Sequence, residues 1–371
     1  MNFLCVLREV FMNQHYCNIK AMNSISADIS STKNIGDAIN YPEKIVFTYT
    51  YACNFKCFMC NLHNSPAQHL PESIIKKFEH VLPFAKVCAV SGGEPLIRDS
   101  WIPWFQEAKK YCVSTEIGTN GSLMRGETAD KVAELCDSLH VSIDAGTSKT
   151  YQAIRGHSFT DLLRNVHDVL NKAEKIRRHI DVVFRFVAMR RNVAELAKLV
   201  GIAHSFGVKA VVSVYMRSTT AQTYSESLFL DKDYSDMNMM KARAVADEFG
   251  VNLMLPHLFQ SKSVYSDASS KHAFCREPWK YLEINPLGVS GLCCSFAGSG
   301  DNIIESSFED VWNSPIKRAV RSTVNTDHEM PCCKNCKFGL IMDPNNPASH
   351  FGGEALEVYK KHNQDCQYII V

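Results

Sequence analysis

Three cysteines in close succession could do chemistry: Cys53, Cys57 and Cys60 lie in the stretch YACNFKCFMC, spaced C-x3-C-x2-C directly after a β-branched run. Three thiolates on so short a loop can grip three irons of a [4Fe–4S] cube, because the loop wraps one small object. The fourth iron then has no protein ligand, and an open metal position can chelate a substrate or cofactor. Zinc is a competing occupant. It wants four ligands, and His63 would have to complete the set. Three core cysteines at a strand end are the plainest alternative, which the polar Asn54 and Lys56 in the loop oppose.

A second group lies far downstream. Cys275 is followed after twelve residues by Gly288 and after four more by Cys293, and Cys333 and Cys336 form a later C-x2-C pair. Four thiolates from two segments complete a ligand set for a tetrahedral zinc or for another cube. Cys294 and Cys332 sit beside members of this set and leave the choice within each CC pair open. The other cysteines, at 5, 17, 88, 112, 136 and 366, fit no ligand spacing.

The first group needs a scaffold, and the periodicity supplies one. Strands are predicted at Lys44–Tyr51, Val87–Ser91, Thr115–Thr119, Ser138–Asp144, Asp181–Met189 and Ala210–Tyr215. Helices are predicted between them at Pro71–His80, Trp101–Lys110, Thr128–Cys136, Asp161–Arg178 and Val193–Phe206, the last closed by Gly207. Strand–helix repeats in this order imply a parallel sheet with right-handed crossovers, either open and doubly wound or closed toward a barrel. A loop is expected over residues 217–232 and a further helix over Asp233–Phe249. The period then breaks, and from about Lys271 short strands, Gly-rich turns and cysteine pairs follow, with one plausible helix at Glu305–Trp312. The expected division is a loose extension over residues 1–40, the repeats over 41–256 and a small cysteine-rich α+β domain over 257–371.

The 371 residues carry 40 basic and 39 acidic side chains, for a formal charge of +1, and 46% hydrophobic residues. That balance gives no electrostatic case for nucleic acid or an anionic membrane as partner. No apolar run approaches the roughly 20 residues of a membrane span, and Arg8 and Glu9 interrupt the apolar start. A cytoplasmic location is expected, where cysteines serve metals rather than disulfides.

The C-x3-C-x2-C loop after the first strand resembles the signature of the radical SAM superfamily. The resemblance implies a partial (β/α)6 TIM-type barrel in which the amino and carboxylate groups of S-adenosylmethionine bind the open iron. An electron from the reduced [4Fe–4S] cluster then yields methionine and a 5'-deoxyadenosyl radical that abstracts hydrogen. SGGEPLI at 91–97 matches the family's GGEP element, so Gly92, Gly93 and Glu94 are expected to bind the cofactor, Glu94 at the methionine amino group. Met59 matches the position beside adenine, Asn120 the TNG turn after the third strand, and Ser142 and Arg155 contacts to ribose and carboxylate. A bare reading of Arg155 is a solvated helix-end cation. All of these stand at the C-terminal ends of strands, where parallel α/β folds build their sites.

The Cys275–Gly288–Cys293 spacing resembles the start of the SPASM domain and its shorter "twitch" relatives. A full SPASM continues C-x2-C-x5-C-x3-C, whereas here only Cys366 follows Cys336. A single auxiliary [4Fe–4S] cluster on Cys275, Cys293, Cys333 and Cys336 is therefore expected. In sulfatase-maturing relatives the residue after the second of these cysteines is an aspartate proton acceptor; here it is Cys294, the sole weak candidate for a catalytic base.

The leading functional expectation is hydrogen abstraction from a sugar, an alcohol or another small molecule, in the manner of aminocyclitol dehydrogenases. The second is modification of a peptide, ranked lower because the first forty residues lack the periodicity of a peptide-recognition domain. The third is a non-catalytic zinc protein, which leaves GGEP, Ser142 and Arg155 without a task. A flavodoxin- or ferredoxin-type protein is the expected electron donor.

Overall fold

The computed structural model describes residues 3–260, 274–293, 301–334 and 344–363. Its frame is a nine-stranded sheet. Six strands follow the predicted order: β1 (Lys44–Thr50), β2 (Val87–Gly92), β3 (Ser114–Thr119), β4 (Ser138–Ser142), β5 (Asp181–Ala188) and β6 (Ala210–Tyr215). Three more join them: β7 (Asn252–Met254), β8 (Tyr281–Ile284) and β9 (Ser290–Gly291), in the order β7-β6-β5-β4-β3-β2-β1-β8-β9. Pairings from β7 through β8 are parallel, and only β9 runs antiparallel to its neighbour.

Strands β3 to β6 alternate between two environments, as the two-residue period requires, while β1 and β2 each carry a run of three buried residues. Ile45, Phe47 and Tyr49 of β1, Ile117 of β3, Leu139 and Val141 of β4 and Phe184 and Phe186 of β5 are buried in one continuous apolar core. That core is shared with helices α2 (Trp101–Lys110), α3 (Glu127–Leu135), α5 (Phe159–Lys175), α6 (Leu196–Ser205) and α8 (Lys232–Phe249), with the short α4 (Ser148–Arg155) between α3 and α5. Helices on a single face let the sheet curl into a partial barrel. The opposite, inner face carries half-buried Thr48, Ser91, Glu116, His140, Ser142 and Arg185.

Three expectations are corrected. The first forty residues are not loose: Phe3–Thr32 is one helix, α1. Its period is hidden because the docked face is polar, with Lys20, Asn23, Ser30 and Ser31 buried beside Ala27. Lys20 Nζ donates to the carbonyls of Tyr111 and Cys112 at 2.9 and 2.5 Å, satisfying acceptors at the C-terminal end of α2. The helix predicted at Pro71–His80 is a 3-10 turn, Glu72–Lys77, with another at Leu82–Phe84. Pro83 lacks the amide a longer α-helix would use there. The loop over 217–232 contains the one-turn helix α7 (Ala221–Tyr224), closed by a reciprocal Thr220–Thr223 capping box.

The cysteine-rich segment does not stand apart from the barrel, since β8 pairs with β1 in the same sheet. Helices α9 (Glu277–Lys280), α10 (Phe308–Trp312) and α11 (Pro315–Thr323) tie this segment to the chain just before β1. The buried Arg321 donates to Pro278 O at 2.8 Å, Trp312 O at 2.9 Å and Asn313 Oδ1 at 2.8 Å, and its guanidinium lies 4.2 Å from the Trp312 ring centre. Trp279 and Trp312 reach back to the Ile35 and Asn40 carbonyls at 2.9 and 2.7 Å.

Candidate active site at the C-terminal ends of the strands

The cysteine loop follows β1 directly and is fastened on several sides. Gly93 N donates to Thr50 O at 2.7 Å and Glu94 N to Ala52 O at 2.8 Å, joining the loop to the end of β2. Asn54 gives a hydrogen bond to Ser122 Oγ and accepts one from Asn120 Nδ2, each 2.9 Å, joining it to the turn after β3. Phe55 stacks on His157 with ring centres 3.6 Å apart and 6° between planes, and Phe58 N donates to Ile154 O at 2.8 Å. Both of the last ties run to the end of α4. So short a segment has no interior of its own to hold its shape; its neighbours supply it.

Gly92 and Gly93 are glycines for a spatial reason. A Cβ on Gly93 would stand 2.1 Å from Ala52 O, and one on Gly92, at φ +126°, 2.3 Å from Thr50 O. The pair lets two backbones touch at the root of the cysteine loop. Glu94 behind them is fully buried and accepts from Leu96 N, Thr119 Oγ1 and Asn120 N at 3.1, 2.8 and 2.7 Å. Burial pushes its carboxyl up to about 7, against the pull of those three donors.

Arg155 is the largest departure from a bare reading. It is buried, not a solvated cation: Nε donates to Asp144 Oδ2 at 2.7 Å, and the guanidinium also bonds that carboxylate through NH2. Its NH1 reaches Cys57 Sγ at 3.6 Å. Burial works against the cation, but the Asp144 charge outweighs it and holds the guanidinium protonated. Burial also pushes the Cys57 and Cys53 thiols up, while Arg155 draws Cys57 back down. Asp144 in turn accepts from Val187 N at 2.7 Å, so one buried carboxylate links β5, the end of β4, α4 and the cysteine loop. Nothing in the sequence marked Asp144 beyond its place in SIDAG.

The remaining expected residues are placed as follows. Met59 and Phe58 are half-buried against an apolar cluster of Ile154, Met189 and Met216, with Arg191 3.9 Å from the Phe58 ring centre. Ser142 ends β4 on the inner face, half-buried. His63, the conceivable zinc ligand, is exposed in the 3-10 turn Leu62–Asn64. Among the described residues no three His, Cys, Asp or Glu side chains converge on one ion-sized point. Thiols spread along a loop suit a cube, whose irons each take one, better than a single zinc on which four ligands meet.

Sequence reasoning missed the supports. Glu195 accepts from Gly146 N, Thr147 Oγ1 and Thr150 Oγ1 at 2.8, 2.9 and 2.6 Å and so fixes the start of α4. Asn192 donates to Asp144 O and Val187 O, both at 2.9 Å. Tyr151 of α4 is fully buried among the same groups, and its hydroxyl has no hydrogen-bond partner among the described residues. A cavity of about 550 Å³ lies beside the loop, lined in part by Asn54, Phe55, Asn120, Tyr151 and His157.

The second cysteine group is described in part. Cys275, Cys293 and Cys333 are half-buried. Cys275 is held by Asn325, which accepts from its amide at 2.7 Å and donates to its carbonyl at 2.9 Å. Cys336 and Cys294 lie outside the described residues.

Residues 47–203 match the model of the radical SAM superfamily, and residues 275–337 match SPASM, an iron–sulfur cluster-binding domain. The chain belongs to the radical SAM superfamily. A radical SAM domain holds a [4Fe–4S] cluster and S-adenosylmethionine, and a SPASM domain holds auxiliary iron–sulfur clusters. The subtilosin biosynthesis protein AlbA of Bacillus subtilis is 23% identical over 286 residues, 74% of this chain and 60% of that protein. Pre-heme d1 synthase of Dinoroseobacter shibae is 30% identical over 173 residues, 44% of this chain and 41% of that one. This chain thus spans less than two thirds of either relative's length. Among solved structures, Streptococcus suis SuiB bound to S-adenosylmethionine superposes with a TM-score of 0.62 at 17% identity, covering 88% of this chain and 79% of that one. The complex of anSMEcpe with AdoMet and the Cp18Cys peptide gives 0.58 at 15%, covering 87% and 96%. These likenesses establish the shared fold. No helix among the described residues is long and apolar enough to cross a membrane.

Proposed function

We propose that this chain is an enzyme that reductively cleaves S-adenosylmethionine and modifies a peptide. The observation that carries the reading is the C-x3-C-x2-C loop fastened over GGEP inside a chain that matches both the radical SAM and the SPASM models. When bound, the cluster and S-adenosylmethionine supply one electron and a hydrogen-abstracting radical. Cys53, Cys57 and Cys60 hold the cluster. Glu94, with a carboxyl poised near neutrality and donors fixing both oxygens, accepts the methionine ammonium. Gly92 and Gly93 bring backbone close to it, while Asn120 locks the loop and Ser142 and Arg155 border the nucleoside and carboxylate. Met59 presents thioether and methylene surface to the adenine face. One auxiliary cluster on Cys275, Cys293, Cys333 and Cys336 takes up an electron or binds substrate.

A peptide replaces the small alcohol that led the sequence-based expectations. AlbA is named for bacteriocin biosynthesis, and SuiB and anSMEcpe are described with bound peptides. The first forty residues, whose lack of periodicity ranked a peptide second, contain the helix α1 over Phe3–Thr32. The reconstituted enzyme, given reductant and a cell-extract fraction, should release 5'-deoxyadenosine faster with a peptide fraction than with a sugar and alcohol fraction. Protease treatment of the fraction should remove the stimulation; stimulation that survives it contradicts the peptide reading.

A further inference from the structure

The inner face of the sheet carries a chain of charges that the cysteine loop does not use. Lys44 Nζ of β1 pairs with Glu116 Oε2 of β3 at 2.9 Å, and Glu116 Oε1 lies 3.3 Å from His140 Nδ1 of β4. Arg185 of β5 approaches the same His140 nitrogen, with NH2 at 2.8 Å and Nε at 3.2 Å. A nitrogen that accepts from a guanidinium carries no proton, and burial drives His140 down to about 4, so the ring is neutral at pH 7. Its approach to Glu116 is therefore not an ion pair. His140 Nε2 lies 3.1 Å from Ser138 Oγ.

The charges then do not cancel. Glu116 is matched by Lys44, and among the described residues the Arg185 side chain has a neutral imidazole as its one hydrogen-bond partner. Of the other arginines of the barrel, Arg155 is matched by Asp144 and Arg178 by Asp137, while the half-buried Arg217 donates to a backbone carbonyl, that of Phe351, at 3.3 Å. Among the described residues Arg185 has no carboxylate within salt-bridge distance; it is half-buried, burial opposes its charge, and the charge of Glu116 supports it from farther off. His140 takes Nε and NH2, which leaves NH1 without a hydrogen-bond partner among the described residues. Arg185 stands in register with Ser142, the last residue of β4, on the inner face of the sheet.

We propose that Arg185 anchors a carboxylate of the substrate on the inner face of the barrel, with His140 orienting the guanidinium from behind. This rests on the peptide reading above, in which the carboxylate is an Asp or Glu side chain. A planar guanidinium with one edge pinned presents its other donors in a fixed fork, the geometry that grips a carboxylate at two points. S-adenosylmethionine also carries a carboxylate, which the test must separate from that of the substrate.

The test uses the reconstituted full-length enzyme saturated with S-adenosylmethionine. Ligand-observed NMR would follow N-acetyl-glutamate N-methylamide, its glutamine counterpart and glutarate. The glutamate probe should bind the wild type and bind Arg185→Gln about tenfold more weakly, with Arg185→Lys between them, as expected for loss of a charge-assisted contact. The glutamine probe should bind all three proteins equally poorly, and S-adenosylmethionine affinity should be unchanged. Equal binding of the glutamate and glutamine probes, or of neither acidic probe, overturns the proposal. So does a tenfold loss of S-adenosylmethionine affinity in Arg185→Gln, which would give the fork to the cofactor. Glutarate bound through Arg185 without the glutamate probe keeps the carboxylate site and contradicts the peptide reading instead.

Discussion

The two cysteine groups are built in opposite ways. Cys53, Cys57 and Cys60 lie on one loop fastened by β2, the turn after β3 and the end of α4. Cys275, Cys293 and Cys333 come from three places in the chain, and Cys275 is positioned by Asn325, fifty residues on. A local site keeps its spacing as long as one loop is held. A dispersed site exists only when the segment around α9, α10 and α11 is folded. Loss of the first should therefore end the chemistry, and loss of the second should unsettle the fold while sparing part of it.

The largest expected effect breaks the local site outright. Replacing Cys53, Cys57 and Cys60 together by Ala should abolish S-adenosylmethionine cleavage, whereas Cys275→Ala with Cys333→Ala should lower iron content and leave some uncoupled cleavage. Liquid chromatography of 5'-deoxyadenosine beside an iron assay separates the two; equal cleavage in both variants would erase the contrast.

Next in size is the clamp on Cys57. Asp144→Asn leaves Arg155 buried beside a neutral amide, and breaking a buried pair on one side costs about 3–5 kcal/mol. Urea denaturation should show that loss, and a change within experimental scatter would mean that the pair does not hold the loop.

Gly93→Ala should act more locally. Its Cβ would meet the Ala52 carbonyl at 2.1 Å, and forcing extra volume into a packed site costs about 1–3 kcal/mol. Gly118→Ala is the control, since its Cβ would meet Ser91 Cβ at an ordinary 3.7 Å. The first should weaken S-adenosylmethionine binding and the second should not; similar binding by both would remove the close-approach argument.

The smallest effect concerns pH. His140 is held near 4 in the fold against 6.5 in the unfolded chain, facing Glu116, Lys44 and Arg185. A depressed histidine stabilises the fold fully above 6.5, and that share is lost as pH falls through 4, because the unfolded chain takes up the proton first. His140→Asn should therefore lose less stability than the wild type between pH 7 and pH 5. A larger loss would reverse the sign.

What the sequence made legible follows the same division. The six parallel strands, the long amphipathic helices and the C-x3-C-x2-C loop all carry short-range patterns, and each strand expectation falls within two residues of the observed element. The helix α1 escaped because Lys20, Asn23, Ser30 and Ser31 make its docked face polar, which erases the apolar period. Strand β8 joins the barrel by pairing with β1 more than two hundred residues away, beyond any local window, and β9 follows by pairing with β8. At the site, residues expected to touch the cofactor were readable from motifs. Asp144, Asn192 and Glu195 were not, since their roles are to hold backbone and other side chains across strands. Arg185 gave no signal either; that no carboxylate pairs with it among the described residues is visible only once its neighbours are known.

The central claim is that the cysteine loop holds a cluster that cleaves S-adenosylmethionine. Anaerobic reconstitution of the full chain with iron and sulfide, followed by dithionite and S-adenosylmethionine, tests it most directly. The account predicts a [4Fe–4S] signal that changes when S-adenosylmethionine is added, together with release of 5'-deoxyadenosine and methionine. A protein that takes up zinc in place of the cluster, or a reduced cluster that leaves S-adenosylmethionine intact, would contradict it.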